Sequence, residues 1–501
     1  MRLALLLLLA APVLAADLTI ELKDFAAMPI TGAVDGPGNS AGLLARINFL
    51  REEPRAGAAK RRLFVNDLNG PLYIVDRETG KASTYLNLNG LAGQPGIFQK
   101  LAIDNLLASG FITFEFDPDY VHNGKFYTVH LEDPTLPASP LPDNHNFPGL
   151  RTSGYAVTPP IRTFGKTECE AVLVEWTDSD TSNATFEGTA REVMRLQYNS
   201  RIHPMGDLTF NPAARPGDPE WRVIYIATGD GGSGEQTTDI RNNPQRLDTL
   251  VGKILRIVPD LAQQTARSTV SENGRYRIPN DNPFARKPGA RKEIWAYGLR
   301  NPHRLVWDGD RLLALVIGLK TWETVDIVHK GANYGYSQRE GPQRLNSDNT
   351  LSDPPAPDLI DGVRPIYPVI AYSHGRAPGS GDAIAGGFVY RGKFIFGDIT
   401  TGRLWWADPK EMVAADDGDP KTMAAMHEVK IAWNGETYPT MSPIAEIGYH
   451  ARGGKAEHLP GAARTPGGRA DVRFGIDAGG DLYILTKSDG VIRKVVAAVL
   501  Q

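Results

Sequence analysis

"GFITFEFDPDYVHNGKFYTVH" occupies residues 110–130. Two β-rich runs, rich in Phe, Tyr, Thr and Val, flank a Pro-Asp turn and an Asn-Gly pair, which is a hairpin pattern. The same theme returns in "RLFVNDLNGPLYIVD" (62–76), "WRVIYIATGDGG" (221–232) and "RLLALVIG" (311–318). It returns again in "GGFVYRGKFIFGDITTGRLWWAD" (386–408) and "DVRFGIDAGGDLYILTKSDGVIRKV" (471–495). Six such units, irregularly spaced, predict an all-β chain built as a six-bladed β-propeller, with an array of β-sandwiches as the alternative. "DLTIEL" (17–22) reads as a strand returned to the last blade to close the ring. Residues 131–185 and 258–292 lack the theme and read as long loops inserted on the ligand face. No linker divides the chain, so residues 17–501 are expected to form one domain.

The 501 residues carry a net charge of −4, with 41% apolar and 22% charged side chains. That balance gives no reason to expect a nucleic-acid partner, since such proteins usually show a basic patch or stripe. The 52 glycines and 37 prolines suit many tight turns. "MRLALLLLLAAPVLAADL" opens with one basic residue, an apolar run from Leu3 to Leu9 and small residues at Ala15 and Ala16. This is the layout of a signal peptide over residues 1–16. No later run reaches the ~18 apolar residues of a membrane span. The expected location is periplasmic or secreted. Cys169 is the single cysteine, so no internal disulfide and no thiol-linked haem is expected.

"GDGGSG" (229–234) has dinucleotide-loop spacing, but "EQTTDIRNNPQRLD" after it has no apolar helical face to present a helix N-terminus to a pyrophosphate. Asp230 is read instead as a turn residue near the ligand face. There is no H-E-x-x-H pair and no G-x-S-x-G elbow. What remains is isolated polar residues at strand ends. His203 stands in a short loop before "DLTF", and "AYGLRNPHRLVWD" (296–308) sets Arg300 and Asn301 beside Pro302 between two strand-like runs.

Taken in order, these segments resemble the glucose/sorbosone dehydrogenase family of soluble sugar dehydrogenases. The resemblance rests on "SGFITFEFDPDYVHNGKFYTV", "TGDGGSG…NNPQRLDTLVGKILRIVPD" and "IPNDNPFARKPGARKEIWAYGLRNPHRL". "TWETVDIVHKGANYGY" and "AIAGGFVYRG…FGDITTGRLW" complete it, over roughly residues 20 to 497. It implies a six-bladed propeller that uses pyrroloquinoline quinone (PQQ) and Ca2+ to oxidise an aldose, or a related alcohol, to a lactone. By the same resemblance His203 matches the catalytic base, a role suited to the side chain that titrates near neutral pH. Arg300 and Asn301 match the pair beside the quinone oxygens. Gly318 and Leu319 match carbonyl ligands of calcium, and Tyr334 matches a residue of a second, structural calcium site. In the last blade, Arg403, Asp471 and Arg473 are expected in segments that face the centre in the family. A sugar substrate and an unidentified electron acceptor are the implied partners.

The chain departs from the family pattern at four places. Met205 replaces a glycine, Asp207 an arginine, Thr324 a glutamate (with Glu323 adjacent), and Ala108 or Ser109 stands where a polar quinone contact is expected. Met205, Asp207 and Ala108 motivate a second expectation, a non-catalytic propeller that binds a glycan or a protein. A third, a calcium-dependent lactonase, requires carboxylates such as Asp117, Asp119 and Asp230 to converge on one ion.

Overall fold

The computed structural model describes residues 18–32, 42–54, 61–104, 109–462 and 468–500. The signal-peptide segment 1–16 and Ala108 lie outside these. The chain is all-β with a few short helices, Ser442–Ala451 being the longest among the described residues. Its strands follow one another as antiparallel four-stranded meanders, numbered here as sheets in chain order. The first runs from Ile47–Glu52 to Ala82–Asn87, the second from Phe111–Phe116 to Gly188–Tyr198, and the third from Met205–Phe210 to Ile294–Tyr297. The fourth runs from Asn301–Asp308 to Ile370–Ser373 and the fifth from Ile384–Tyr390 to His427–Trp433. The sixth has Val472–Ile476, Leu482–Thr486 and Val491–Leu500, and takes its fourth strand from the start of the described chain. Leu18–Ala27 lies antiparallel to Val491–Leu500, with Leu18 opposite Leu500. It extends the strand expected at 17–22 and also pairs parallel with His427–Trp433 of the fifth sheet.

The strands read as nearly continuous apolar runs because both faces of each sheet are covered. The core is correspondingly divided into wedges, each shared by two consecutive sheets. Phe64 and Tyr85 of the first sheet interleave with Phe116, Phe126 and Trp176 of the second. Further wedges join the second sheet to the third, the third to the fourth, the fourth to the fifth and the fifth to the sixth. A last wedge, with Ile47 and Val65 against Leu485 and Ile492, joins the sixth to the first. Edge-on aromatic pairs such as Trp176–Phe186, 5.3 Å apart, add roughly 0.5–1.5 kcal/mol each beyond the area they bury.

The first strand of every sheet touches the first strand of the next, and Val472–Ile476 returns to Ile47–Glu52 through the bridge Leu50 to Gly475. Five of these inner strands carry a β-bulge near their start. The extra residues are Asn48, Ile112, Gly206, His303 and Ala385. A bulge re-aims the side chains around it. Here it turns consecutive residues such as His303 and Arg304 toward the centre.

The inserted segments differ from expectation. Residues 131–185 contain Cys169–Asp178, a buried strand of the second sheet, so the loop proper is 133–168. It joins a second strand to a third and therefore lies at the end where the inner strands begin. Its Asp133 pairs with Arg201 there. Residues 258–292 are not on that face. They join a third strand to a fourth, which in a meander places them at the opposite end. Asp260 accordingly pairs with Lys125 and Arg222, which precede or begin second strands. This segment also holds a hairpin, Ser268–Val270 with Arg277–Pro279. Cys169 is fully buried, donates to the Ser200 carbonyl, and has its thiol pushed up to about 12 by burial.

Candidate active site

The third sheet pairs Met205 with Thr228. Continuing that ladder outward sets the loop before the first strand against the glycine-rich loop after the second. Gly229 N–H donates to the Pro204 carbonyl at 2.9 Å and Gly231 N–H to the His203 carbonyl at 3.2 Å. A Cβ on Gly229 would lie 2.3 Å from that carbonyl oxygen, so only glycine fits there. His203 itself has φ +49°, a left-handed conformation costly for a non-glycine residue and common at functional sites. Its Nδ1 is 2.8 Å from Asp230 Oδ1. An ionised carboxylate only accepts, so Nδ1 carries the hydrogen and Nε2 is the basic nitrogen.

Asp230 is fully buried. Burial pushes its carboxyl up, but His203, the Arg300 charge and the Gly232 N–H together hold it below the usual range. Gly232 N–H and Gly234 N–H both donate to it at 2.9 Å. Its own N–H donates to the Arg300 carbonyl at 2.7 Å. The imidazole and the guanidinium are thus brought to one corner through Asp230.

Arg300 is buried. Its Nη1 donates to the Gly318 carbonyl at 2.5 Å and the Ile317 carbonyl at 3.2 Å, and Nη2 pairs with Glu235. Its Nε, the Tyr336 hydroxyl and Glu340 Oε2 are buried without hydrogen-bond partners. The loop after Gly318, which includes half-buried Leu319, is gathered by Glu340 Oε1. That oxygen accepts the N–H groups of Lys320, Thr321 and Trp322 at 2.7, 2.7 and 3.2 Å. Asn301 is buried at the start of its strand, opposite Ile317.

A second, cationic group lies on the sixth and first sheets. Arg473 donates from Nε to Asn48 Oδ1 at 3.0 Å and is drawn down to about 10 by burial and by Arg469 and Arg46, against Asp471. Lys487 is held well below its ordinary value by burial, then by Arg473. Asp471, at φ +53°, pairs with Arg469 at 2.6 Å. Among the described residues no hydrogen bond or ion pair joins this group to the His203 corner. Arg403 belongs to neither: it donates to the carbonyls of Arg376, Ala377 and Ser380 and braces that loop.

Tyr334 donates to the Ile327 carbonyl and accepts the His329 N–H, and Thr324 donates to Asp326 at 2.8 Å, so these hydroxyls are engaged within the fold. Among the described residues no cluster of three or more His, Cys, Asp or Glu is arranged to hold a metal. Asp117 pairs with Arg222, Asp119 with His122 and Asp230 with His203, so the carboxylates a lactonase requires do not converge. Met205 is buried in the apolar wedge between the second and third sheets. Asp207 is paired with Arg51 at 2.6 Å and accepts Leu305 N–H at 2.9 Å. Ser109 exchanges hydrogen bonds with the Asp104 backbone.

The site thus presents a carboxylate-oriented imidazole beside a buried guanidinium at the strand-start end of an all-β protein. A family model, glucose/sorbosone dehydrogenase, matches residues 56–441, and the chain belongs to that family. The HIPL1 protein of Arabidopsis thaliana is 29% identical over 325 residues, 59% of this chain and 43% of that protein. The aldose sugar dehydrogenase YliI of Escherichia coli (strain K12) is 32% identical over 115 residues, 23% of this chain and 25% of that protein. These matches span less than half of either relative. The fold is shared with the PQQ-bound form of aldose sugar dehydrogenase from Streptomyces coelicolor. That likeness has a TM-score of 0.53 at 17% identity, over 98% of this chain and 100% of the other. The apo form of the soluble aldose sugar dehydrogenase from Escherichia coli gives 0.51 at 15% identity, over 91% and 98%.

Proposed function

We propose that this chain is a six-bladed β-propeller dehydrogenase that oxidises an aldose sugar, or a related alcohol, with pyrroloquinoline quinone. The observation that carries the reading is the His203–Asp230 pair, with Nε2 left basic and the Arg300 carbonyl accepting the same aspartate's N–H. His203 Nε2 takes the hydroxyl proton as the alcohol is oxidised, and Asp230 holds the ring's orientation and stabilises the imidazolium that forms. Arg300 and Asn301 bring positive charge and hydrogen-bond capacity to where negative charge develops.

The residues present fit a polyanionic quinone. Arg300 Nε and the Tyr336 hydroxyl are buried donors without partners, and Arg46, Arg473 and Lys487 concentrate positive charge on the first and sixth sheets. When bound, the quinone supplies the two-electron hydride acceptor, which an external acceptor must then reoxidise. The Arg300 guanidinium occupies the Gly318 carbonyl, one of the two the resemblance implies, and so competes there with calcium. No step is assigned to it. Of the three motives for a non-catalytic propeller, Met205 is packed in the core and Asp207 is paired with Arg51, while Ala108 lies outside the described residues. Export to the periplasm or medium accompanies this reading and rests on residues 1–16.

The test is to add the quinone, with and without calcium, to the purified apo-protein, with aldoses and an artificial electron acceptor. Aldose-dependent dye reduction and a changed visible spectrum on mixing are expected. Absence of both overturns the reading.

A further inference from the structure

Beyond the bulges, from about 13 Å of strand past His203 to the far ends of the inner strands, the structure opens into a cavity of about 950 Å3. This is within the size range of small-molecule sites. Its walls carry Phe116, Phe210, Trp221, Trp307, Phe388 and Phe474, one or more from each of five sheets or the loops that follow them. None of the groups of the His203 corner lines it.

Its charges are unevenly matched. Among the carboxylates on the wall, Glu52 pairs with Arg61 and Arg77, Glu53 with Arg62, and Asp477 with Arg77. Asp207 and Glu115 share Arg51, at 2.6 and 3.4 Å, and burial pushes the Glu115 carboxyl up to about 7. Every wall carboxylate therefore has a guanidinium already. Arg304 and Arg215 have no carboxylate within ion-pairing distance among the described residues.

Arg304 is the sharper case. It is buried on the cavity wall, and its hydrogen-bond partners carry no negative charge: the His303 carbonyl at 2.7 Å, His303 Nδ1 at 3.3 Å, and Asn48 O and Oδ1 at 3.2 Å. Its guanidinium lies 3.8 Å over the Phe49 ring. The approach is made possible by Gly386, where a Cβ would come within 3.3 Å of Arg304 Cγ. The carboxylate that acts on this guanidinium electrostatically, Asp207, is already bound to Arg51, so the buried Arg304 charge is under-compensated, which is costly unless something neutralises it.

We propose that this distal chamber binds a small aromatic anion, its ring against the aromatic wall and its acidic group at Arg304. None of the His203 corner's groups takes part, although Arg304 shares the Asn48 Oδ1 acceptor with Arg473 of the cationic group.

The probe is 1-anilinonaphthalene-8-sulfonate, compared with its neutral counterpart N-phenyl-1-naphthylamine, on the folded full chain. Saturable binding of one sulfonate per chain is expected, at least about tenfold tighter than the neutral probe. Arg304→Met should erase that preference. Phe388→Glu, on a half-buried wall position, should abolish binding even if Arg304→Met fails to fold. Arg300→Ala should leave binding unaltered. Absence of saturable binding, equal affinity for the two probes, or loss in Arg300→Ala with retention in Phe388→Glu overturns the proposal.

Discussion

His203 and Arg300 each stand three residues ahead of the bulge in their sheet's inner strand, Gly206 in the third sheet and His303 in the fourth. They occupy one position in two consecutive repeats. Ala45, Ser109 and Asp382 hold the matching place in the first, second and fifth sheets. Across the ladder the partners differ. His203 meets a carboxylate, Asp230, whereas Arg300 meets a backbone carbonyl, Gly318. A base needs its tautomer fixed, and a carboxylate does that. A permanent cation needs no tautomer fixed, and here carbonyls on one side and Glu235 on the other hold it in place. One backbone device, used twice, therefore yields two different tools.

The sharpest way to break this comparison is His203→Gln. Turnover of the quinone-loaded protein should fall about 10⁴-fold, with quinone binding unchanged in a spectral titration. Asp230→Asn should lower turnover by roughly 10²–10³-fold, because an amide no longer dictates which ring nitrogen is basic. The same variant tests linkage. Asp230 is held below its ordinary value, so its ionised form contributes stability fully above the unfolded value of about 3.9. That contribution is lost as pH falls through the lowered folded value. Melting temperatures of wild type and Asp230→Asn should converge only below about pH 4.

Arg300→Lys should cost about 10–100-fold in turnover, since a point charge cannot reach Glu235 and two carbonyls at once. Met205→Ala should cost about 2–5 kcal/mol in a denaturant melt while leaving turnover nearly unchanged. The smallest expected effect is that of calcium. Adding it to the apo-protein should give no resolvable change in melting temperature while Arg300 holds the Gly318 carbonyl. A clear rise would show that the guanidinium yields that oxygen.

The strand-and-turn rhythm was legible because it is local, as in 110–130, where an Asn-Gly pair joins two aromatic runs. The place of 258–292 was missed because which end of a sheet a loop occupies depends on counting strands, and Ile294–Tyr297 is too short to announce itself. At the site, His203, Arg300 and Asn301 came from motif resemblance. Asp230 was noticed as a turn residue, yet its role was not. Its 27-residue separation from His203 becomes contact only once Met205 and Thr228 are known to pair. That register was the usable signal, since the residue before a first strand meets the residue after the second. Glu235, Tyr336 and Glu340 had no such signal, because their roles depend on loop conformations held by other side chains. Arg403 looked central by position, but it faces carbonyls of its own neighbourhood.

The pairing of Leu18–Ala27 with Val491–Leu500 has a consequence for biogenesis. The ring of sheets stays open until residue 500 is available, however early the first five sheets form. Contacts of that sequence separation form slowly, so a nascent chain would expose two raw sheet edges throughout synthesis. Whatever escorts the newly made chain must therefore shield those edges to the last strand.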